Sequence, residues 1–210
     1  MASKTARKLK KSPNDIIYTP LPVALKMIKM CNIKKDHTVL DPSKGGGIFY
    51  DNLPLNCKKD YCEITENKDF FECTNRYDLI IGNPPFSMWT KWIEHTMKLT
   101  DKFCYIMGCF NFTDARLRSI INNGYGITKF HLLKIDWWYS PSYLVVFEKN
   151  KKSIISVEPE RIYCDICNNR KCKRGRSGNS YNICTIIKNT PIENIEAKET
   201  IEYIEEKDIN

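Results

Sequence analysis

Residues 78–89 read DLIIGNPPFSMW. Leu79, Ile80 and Ile81 form an unbroken apolar run, the pattern of a strand covered on both faces. Pro84 and Pro85 lack the N–H that a sheet ladder needs, so the strand must stop at Asn83. Its carboxyl end is then a polar amide, a rigid kink and an aromatic ring: Asn83-Pro84-Pro85-Phe86. The Asn83 amide oxygen and the Pro84 carbonyl can together accept two hydrogen bonds from one NH2 group, and Phe86 can stack on a planar base. The prolines hold these groups rigidly, as catalysis by positioning requires. A Pro-Pro turn also ends a strand without any chemistry, but the polar Asn83 then needs a separate reason.

Outward from this stretch, strands alternate with helices. The spacing predicts a helix over 20–31, strands over 37–43 and 58–64, and the strand 76–83 just described. A helix over 87–100, with Ser87 as its N-cap, a strand over 102–110 and a helix over 113–124 closed by Gly124 come next. Two strands, 126–135 and 142–150, follow one another closely and predict an antiparallel addition. Alternation of this kind gives an α/β fold with a doubly wound, mostly parallel sheet. Ligands on such a sheet bind beyond the carboxyl ends of the strands.

Two further constellations fall at those ends. Asp41 to Phe49, DPSKGGGIF, follows the first strand. Gly45, Gly46 and Gly47 permit a sharp turn and a close backbone approach to a ligand. GxGxxG spacing and a GK[ST] phosphate loop are both absent, so on its own the stretch is equally a plain glycine turn. Glu63, near the end of the second strand, suits the hydroxyls of a ribose. Asp69, beside Phe70 and Phe71, suits a purine with an exocyclic amine; a core aromatic pair with an exposed acid reads equally well.

The set resembles class I S-adenosylmethionine-dependent methyltransferases, specifically the amino-methyltransferases of the DNA N6-adenine type. DPSKGGGIF looks like their DPxxGxGxF cofactor loop, and NPPF like their [DNS]PP[YFW] catalytic motif. YTPLPVALKMI, residues 18–28, is similar to the TP-containing segment that precedes the loop, and Asp69 in DFF to the family's adenine-contacting acid. The resemblance covers residues 14–150. It implies a Rossmann-like, seven-stranded, mostly parallel sheet with an antiparallel last strand. It also implies S-adenosylmethionine as cofactor, held by Tyr18, Thr19, Pro20, Asp41, Pro42, Gly45, Gly47, Phe49, Glu63, Asp69, Phe70 and Asn83. Asn83, Pro84, Pro85 and Phe86 are implied as the catalytic set acting on a base flipped out of DNA, with no catalytic metal. The same motif serves amines of RNA or of a protein glutamine, and a silent nucleic-acid-binding relative would keep the fold. Lys44 departs from the loop pattern; it either meets the cofactor carboxylate or points to solvent.

The charge balance suits a polyanionic partner, and plain solubility accounts for it equally. The chain has 210 residues, suited to one domain with a small appendage. Its net charge is +8; the last twenty residues hold two lysines and seven acids, so the rest carries +13. The start, MASKTARKLKKSPND, lacks the apolar core of a secretory signal, and no run reaches the ~20 apolar residues of a membrane span. The expected setting is intracellular, with no membrane partner.

Ten cysteines in such a setting do not make a disulfide scaffold. Six, Cys31, Cys57, Cys62, Cys73, Cys104 and Cys109, read as small apolar residues. The other four, Cys164, Cys167, Cys172 and Cys184, have a spacing that suits either a structural zinc ion or free thiols. Arg170, Lys171, Lys173, Arg174 and Arg176 lie among them and suit either phosphate contacts or a plain basic loop. The expected organisation is a basic tail (1–13), the main domain (14–150), a small Cys-rich basic appendage (151–189) and a C-terminal amphipathic helix (190–210). Thr190, Pro191 and Glu193 form a capping box for that helix. Its isoleucine face packs on the domain or on a partner chain.

Overall fold

The computed structural model describes residues 17–138 and 140–157. The basic tail, the cysteine cluster with its cations and the C-terminal helix lie outside these residues. The elements are α1 (Leu21–Cys31), β1 (Thr38–Asp41), β2 (Lys58–Tyr61), β3 (Leu79–Gly82), α2 (Trp89–Leu99), β4 (Lys102–Gly108), α3 (Asp114–Asn122), β5 (Tyr125–Leu133) and β6 (Ser142–Lys149).

Six strands form one sheet in the order β2-β1-β3-β4-β6-β5. β2, β1, β3 and β4 run parallel, and β6 lies antiparallel between β4 and β5. The antiparallel last strand is as expected. The count is not: six strands stand among the described residues where seven were expected. Between β2 and β3 the chain makes only two short 3-10 turns, Ile64–Glu66 and Phe70–Glu72, and an isolated bridge between Glu63 and Lys68. That length leaves no room for another helix and strand.

Alternation along the central strands divides the core in two. Ile80, Phe103, Tyr105, Val145 and Phe147 face one side, where α2 lays Trp89, Trp92 and Ile93 and α3 lays Leu117 and Ile120. Leu79, Ile81, Cys104, Ile106 and Val146 face the other, covered by Val23, Ala24 and Met27 of α1. Trp89 is among the largest fully buried side chains. Burial on this scale stabilises by roughly 1.5–3 kcal/mol per large side chain, more for an indole. Cys31, Cys57, Cys62 and Cys104 are buried and unbridged, as small apolar residues would be.

One local expectation changes. Ser87 lies inside a 3-10 turn, Phe86–Met88, and α2 begins at Trp89 with Met88 at its N-cap. Pro85 supplies the reason, because the chain must first turn away from the sheet: Met88 N–H donates to the Pro85 carbonyl at 3.2 Å. Past Asn150, Ile154 N–H donates to the Ile127 carbonyl, while Ile155 and Val157 pack on the core. The packing of the main domain therefore continues beyond residue 150.

Candidate active site

β1 pairs with β2 on one side and with β3 on the other, so the chain leaves β1 and β3 in opposite directions. Their carboxyl ends carry DPSKGGGIF and NPPF, and between them opens a cavity of about 430 Å³. That volume lies in the usual range for small-molecule sites. Tyr18, Thr19, Pro42, Gly45, Phe49, Glu63, Asp69, Phe70, Asn83, Pro84, Pro85 and Phe86 all line it. Pro20, Asp41 and Gly47 do not.

Asp41 lies beneath the glycine loop and is fully buried. Its two carboxylate oxygens accept from the Ser43 and Tyr50 N–H groups, each at 3.3 Å, and so brace both limbs of the loop. Burial outweighs these amides and pushes the Asp41 carboxyl up to about 7. The loop is also pinned to β2: Cys62 N–H donates to the Asp41 carbonyl, and Lys44 N–H to the Cys62 carbonyl.

Gly47 serves this scaffold. Its φ is +83°, and a Cβ there would run into the Asp51 carboxylate. Gly45 and Gly46 border the cavity beneath the Tyr18 ring.

Glu63 receives the Gly45 N–H at 2.8 Å on one oxygen and the Thr65 N–H and hydroxyl on the other. Burial works against ionisation here, but the Thr65 and Gly45 bonds win and hold the carboxyl below its ordinary value. Asp69 caps the second 3-10 turn by accepting from Phe71 N–H at 2.9 Å. Phe70 is buried against Trp92, with ring centroids 4.4 Å apart. Lys44 lies on the cavity lining. Its ammonium pairs with Glu66 at 3.0 Å and lies 4.2 Å from the centre of the Tyr61 ring. Lys68, which also lines the cavity, stands over the same ring at 3.7 Å.

Asn83 is held from both ends. Its Nδ2 donates to the Ile17 carbonyl at 2.8 Å, and its own carbonyl accepts from the Ser43 hydroxyl at 3.2 Å. That leaves Oδ1, a buried acceptor without a partner among the described residues. The Thr19 hydroxyl, on the same cavity wall, is orphaned in the same way. Trp92, a third lining residue, has an unpartnered Nε1 as well. Buried polar groups are nearly always paired, so three such atoms on residues around one cavity suit a ligand site. Phe86 meets the Trp138 ring edge-on, with centroids 6.3 Å apart.

Sequence reasoning missed Ile17, Ser43, Ile64, Lys68, Met88 and Trp92 on the lining. Trp92 carries a signal, because the helical spacing of α2 puts it on the face that meets the sheet end. Ile17 carries none; only the tertiary bond to Asn83 places it. Among the described residues no helix is long and apolar enough to cross a membrane, and no cluster of three or more His, Cys, Asp or Glu stands ready for a metal.

No family model matches the chain. Among curated proteins it is similar to Type II methyltransferase M.HincII of Haemophilus influenzae, 29% identical over 114 residues, covering 46% of this chain and 22% of that protein. It is similarly related to Type II methyltransferase M.HindII of Haemophilus influenzae, also 29% identical over 114 residues and covering 21% of that protein. The chain thus spans about a fifth of the length of these relatives. Among solved structures, Trm5b from Pyrococcus abyssi shares the fold, with a TM-score of 0.51 and 13% identity over 64% of this chain and 50% of that one. The chain resembles class I methyltransferases in its motifs, and the Rossmann-like sheet and the Type II methyltransferase matches agree with that resemblance.

Proposed function

We propose that the protein transfers a methyl group from S-adenosylmethionine to the exocyclic N6 amine of adenine in DNA. The observation that carries the reading is Asn83, a cavity-lining residue at the carboxyl end of β3 whose buried Oδ1 has no partner among the described residues.

The residues present fit the cofactor. Thr19 offers an unpaired hydroxyl, Glu63 and Asp69 offer carboxylate oxygens, and Phe70 offers an apolar floor. When bound, S-adenosylmethionine supplies an electrophilic methyl on a sulfonium. Asn83 Oδ1 accepts one N–H of the target amine and the Pro84 carbonyl the other. Two acceptors on one NH2 favour a pyramidal nitrogen whose lone pair stays free to attack. The same two oxygens stabilise the positive charge that grows on the nitrogen, and the spare proton leaves to water. Phe86 stacks on the base that has left the duplex, which costs a few kcal/mol to extrude. Asn83 is preorganised for this task, because the Ile17 carbonyl holds its amide in one orientation.

Two features support DNA as the substrate: the Asp-Pro opening of the glycine loop and the match to Type II methyltransferases. From sequence alone, the cations at 170–176 are proposed to grip phosphates, and Cys164, Cys167, Cys172 and Cys184 to hold zinc. Metal analysis of the purified protein checks the latter. The deciding experiment is expression in cells that lack adenine methylation, followed by direct sequencing of modified bases. N6-methyladenine above background in the wild type, absent in Asn83→Ala, is the expected result. A methyl group found only on RNA or protein would overturn the DNA assignment.

A further inference from the structure

Beyond β5 the chain turns sharply on an ammonium group. Lys134 Nζ donates to the Ile135 carbonyl at 2.8 Å and to the Trp138 carbonyl, while Trp138 N–H donates back to the Ile135 carbonyl at 2.9 Å. Ile135 and Trp138 are both buried in the core beneath, and Trp138 abuts Phe86 of the NPPF motif. With its neighbours so anchored, Trp137 is turned out of the fold and is 74% exposed. The next loop is tied to this one by Cys109 N–H donating to the Pro141 carbonyl, and it carries Phe110, 68% exposed.

We infer that Trp137 is a stacking platform for an unpaired base of the DNA strand that flanks the target nucleotide. The inference rests on the proposed DNA reading and adds to it a contact outside the cavity. The turn adjoins the cavity wall through the Trp138–Phe86 contact, which puts Trp137 one residue from a side chain that touches the NPPF motif. Lys134 and Asp136 leave the turn with no net charge, and Lys134 is spent on main-chain carbonyls. Trp137 therefore recognises a planar face and not a phosphate. Overall attraction for the strand comes from the basic body of the chain.

The four tryptophans make the test direct. Trp89, Trp92 and Trp138 are buried, so the exposed indole emission belongs to Trp137. The full-length protein is titrated with a single-stranded DNA oligonucleotide, and indole emission and the anisotropy of a labelled strand are followed together. Quenching is expected in the wild type and should be much reduced in Trp137→Phe, which keeps only the buried indoles, Trp92 on the cavity lining and Trp138 against Phe86 among them. Trp137→Ala should weaken binding about 5- to 150-fold, the effect of losing one base–aromatic stack. Trp137→Phe should keep most of the affinity. The salt dependence should be the same in all three, because no phosphate contact is lost. Quenching undiminished in Trp137→Phe, an affinity within twofold of wild type in Trp137→Ala, or a Trp137 contribution seen only with RNA of the same sequence would each overturn the inference. Calorimetry with S-adenosylmethionine separates this from the parent reading. A wild type that binds cofactor and methylates DNA without using Trp137 removes only the platform. One that binds no cofactor removes the methyltransferase.

Discussion

Asn83 Nδ2 donates to the main-chain oxygen of Ile17 at 2.8 Å, joining the end of β3 to a segment 66 residues earlier. One bond does two things. It fixes the amide so that Oδ1 is the free acceptor, and it draws Ile17, Tyr18 and Thr19 over the cavity. Asn83→Ala should therefore lose both effects unequally. Turnover should fall at least about 100-fold, from the ~2–4 kcal/mol that a preorganised polar contact supplies to a transition state. Cofactor affinity should fall less than about tenfold, from loosening of the segment alone. Single-turnover methylation and calorimetry measure the two losses, and equal losses would place Asn83 in cofactor binding only.

Gly47 gives a prediction about stability. A side chain there meets the Asp51 carboxylate and a left-handed backbone, which costs about 1–2 kcal/mol for a non-glycine residue. Gly47→Ala should destabilise the fold by at least that much in a denaturant titration. Asp51→Ala on that background should recover the part due to contact and leave the part due to φ. Full recovery would show that the backbone at residue 47 is not under constraint.

These two residues show what the sequence made legible. DPSKGGGIF and NPPF were visible because each packs several chemically distinctive residues into a few positions. The buried strands were visible because Leu79–Gly82 and Phe103–Met107 lie inside the sheet, where both faces must be apolar. β2, a half-exposed edge strand among the described residues, leaves a weaker pattern in KKDY. That Gly47 answers to Asp51 and not to the cavity is invisible in sequence, since a glycine looks alike in both roles. The Asn83–Ile17 bond and the seating of Trp138 on Phe86 depend on which loops meet in space. Six of the seven expected strands stand among the described residues, and residues 62–78, between β2 and β3, are too short to add a helix and a strand there.

Asp41 sets a pH dependence. The folded carboxyl titrates near 7, against about 4 in an unfolded chain. Between those values the folded state binds the extra proton, so stability falls as pH rises from about 4 to about 7 and is level above that. The full effect of such a shift is on the order of 4 kcal/mol. Asp41→Asn should flatten this slope while keeping an acceptor for the Ser43 N–H. Unfolding free energies at pH 5 and pH 8 for both proteins supply the check, and a wild-type slope of opposite sign or a slope unchanged in the variant would count against it.

Thr19 offers a test in which stability and binding move in opposite directions. Thr19 lines the cavity, and its buried hydroxyl has no partner among the described residues. An unsatisfied buried hydroxyl costs about 1–3 kcal/mol, and valine fills nearly the same volume without that cost. Thr19→Val should therefore raise the stability of the ligand-free protein, by about 1 kcal/mol. If the hydroxyl is held for the cofactor, the same change should weaken S-adenosylmethionine about 2- to 10-fold, the net value of one neutral hydrogen bond. A packing defect with no function would give the first effect alone. A hydroxyl satisfied inside the protein would give neither, and its removal would destabilise the fold. Measuring unfolding and calorimetric affinity on one preparation separates the three, and only increased stability with reduced affinity supports the cavity as the cofactor site.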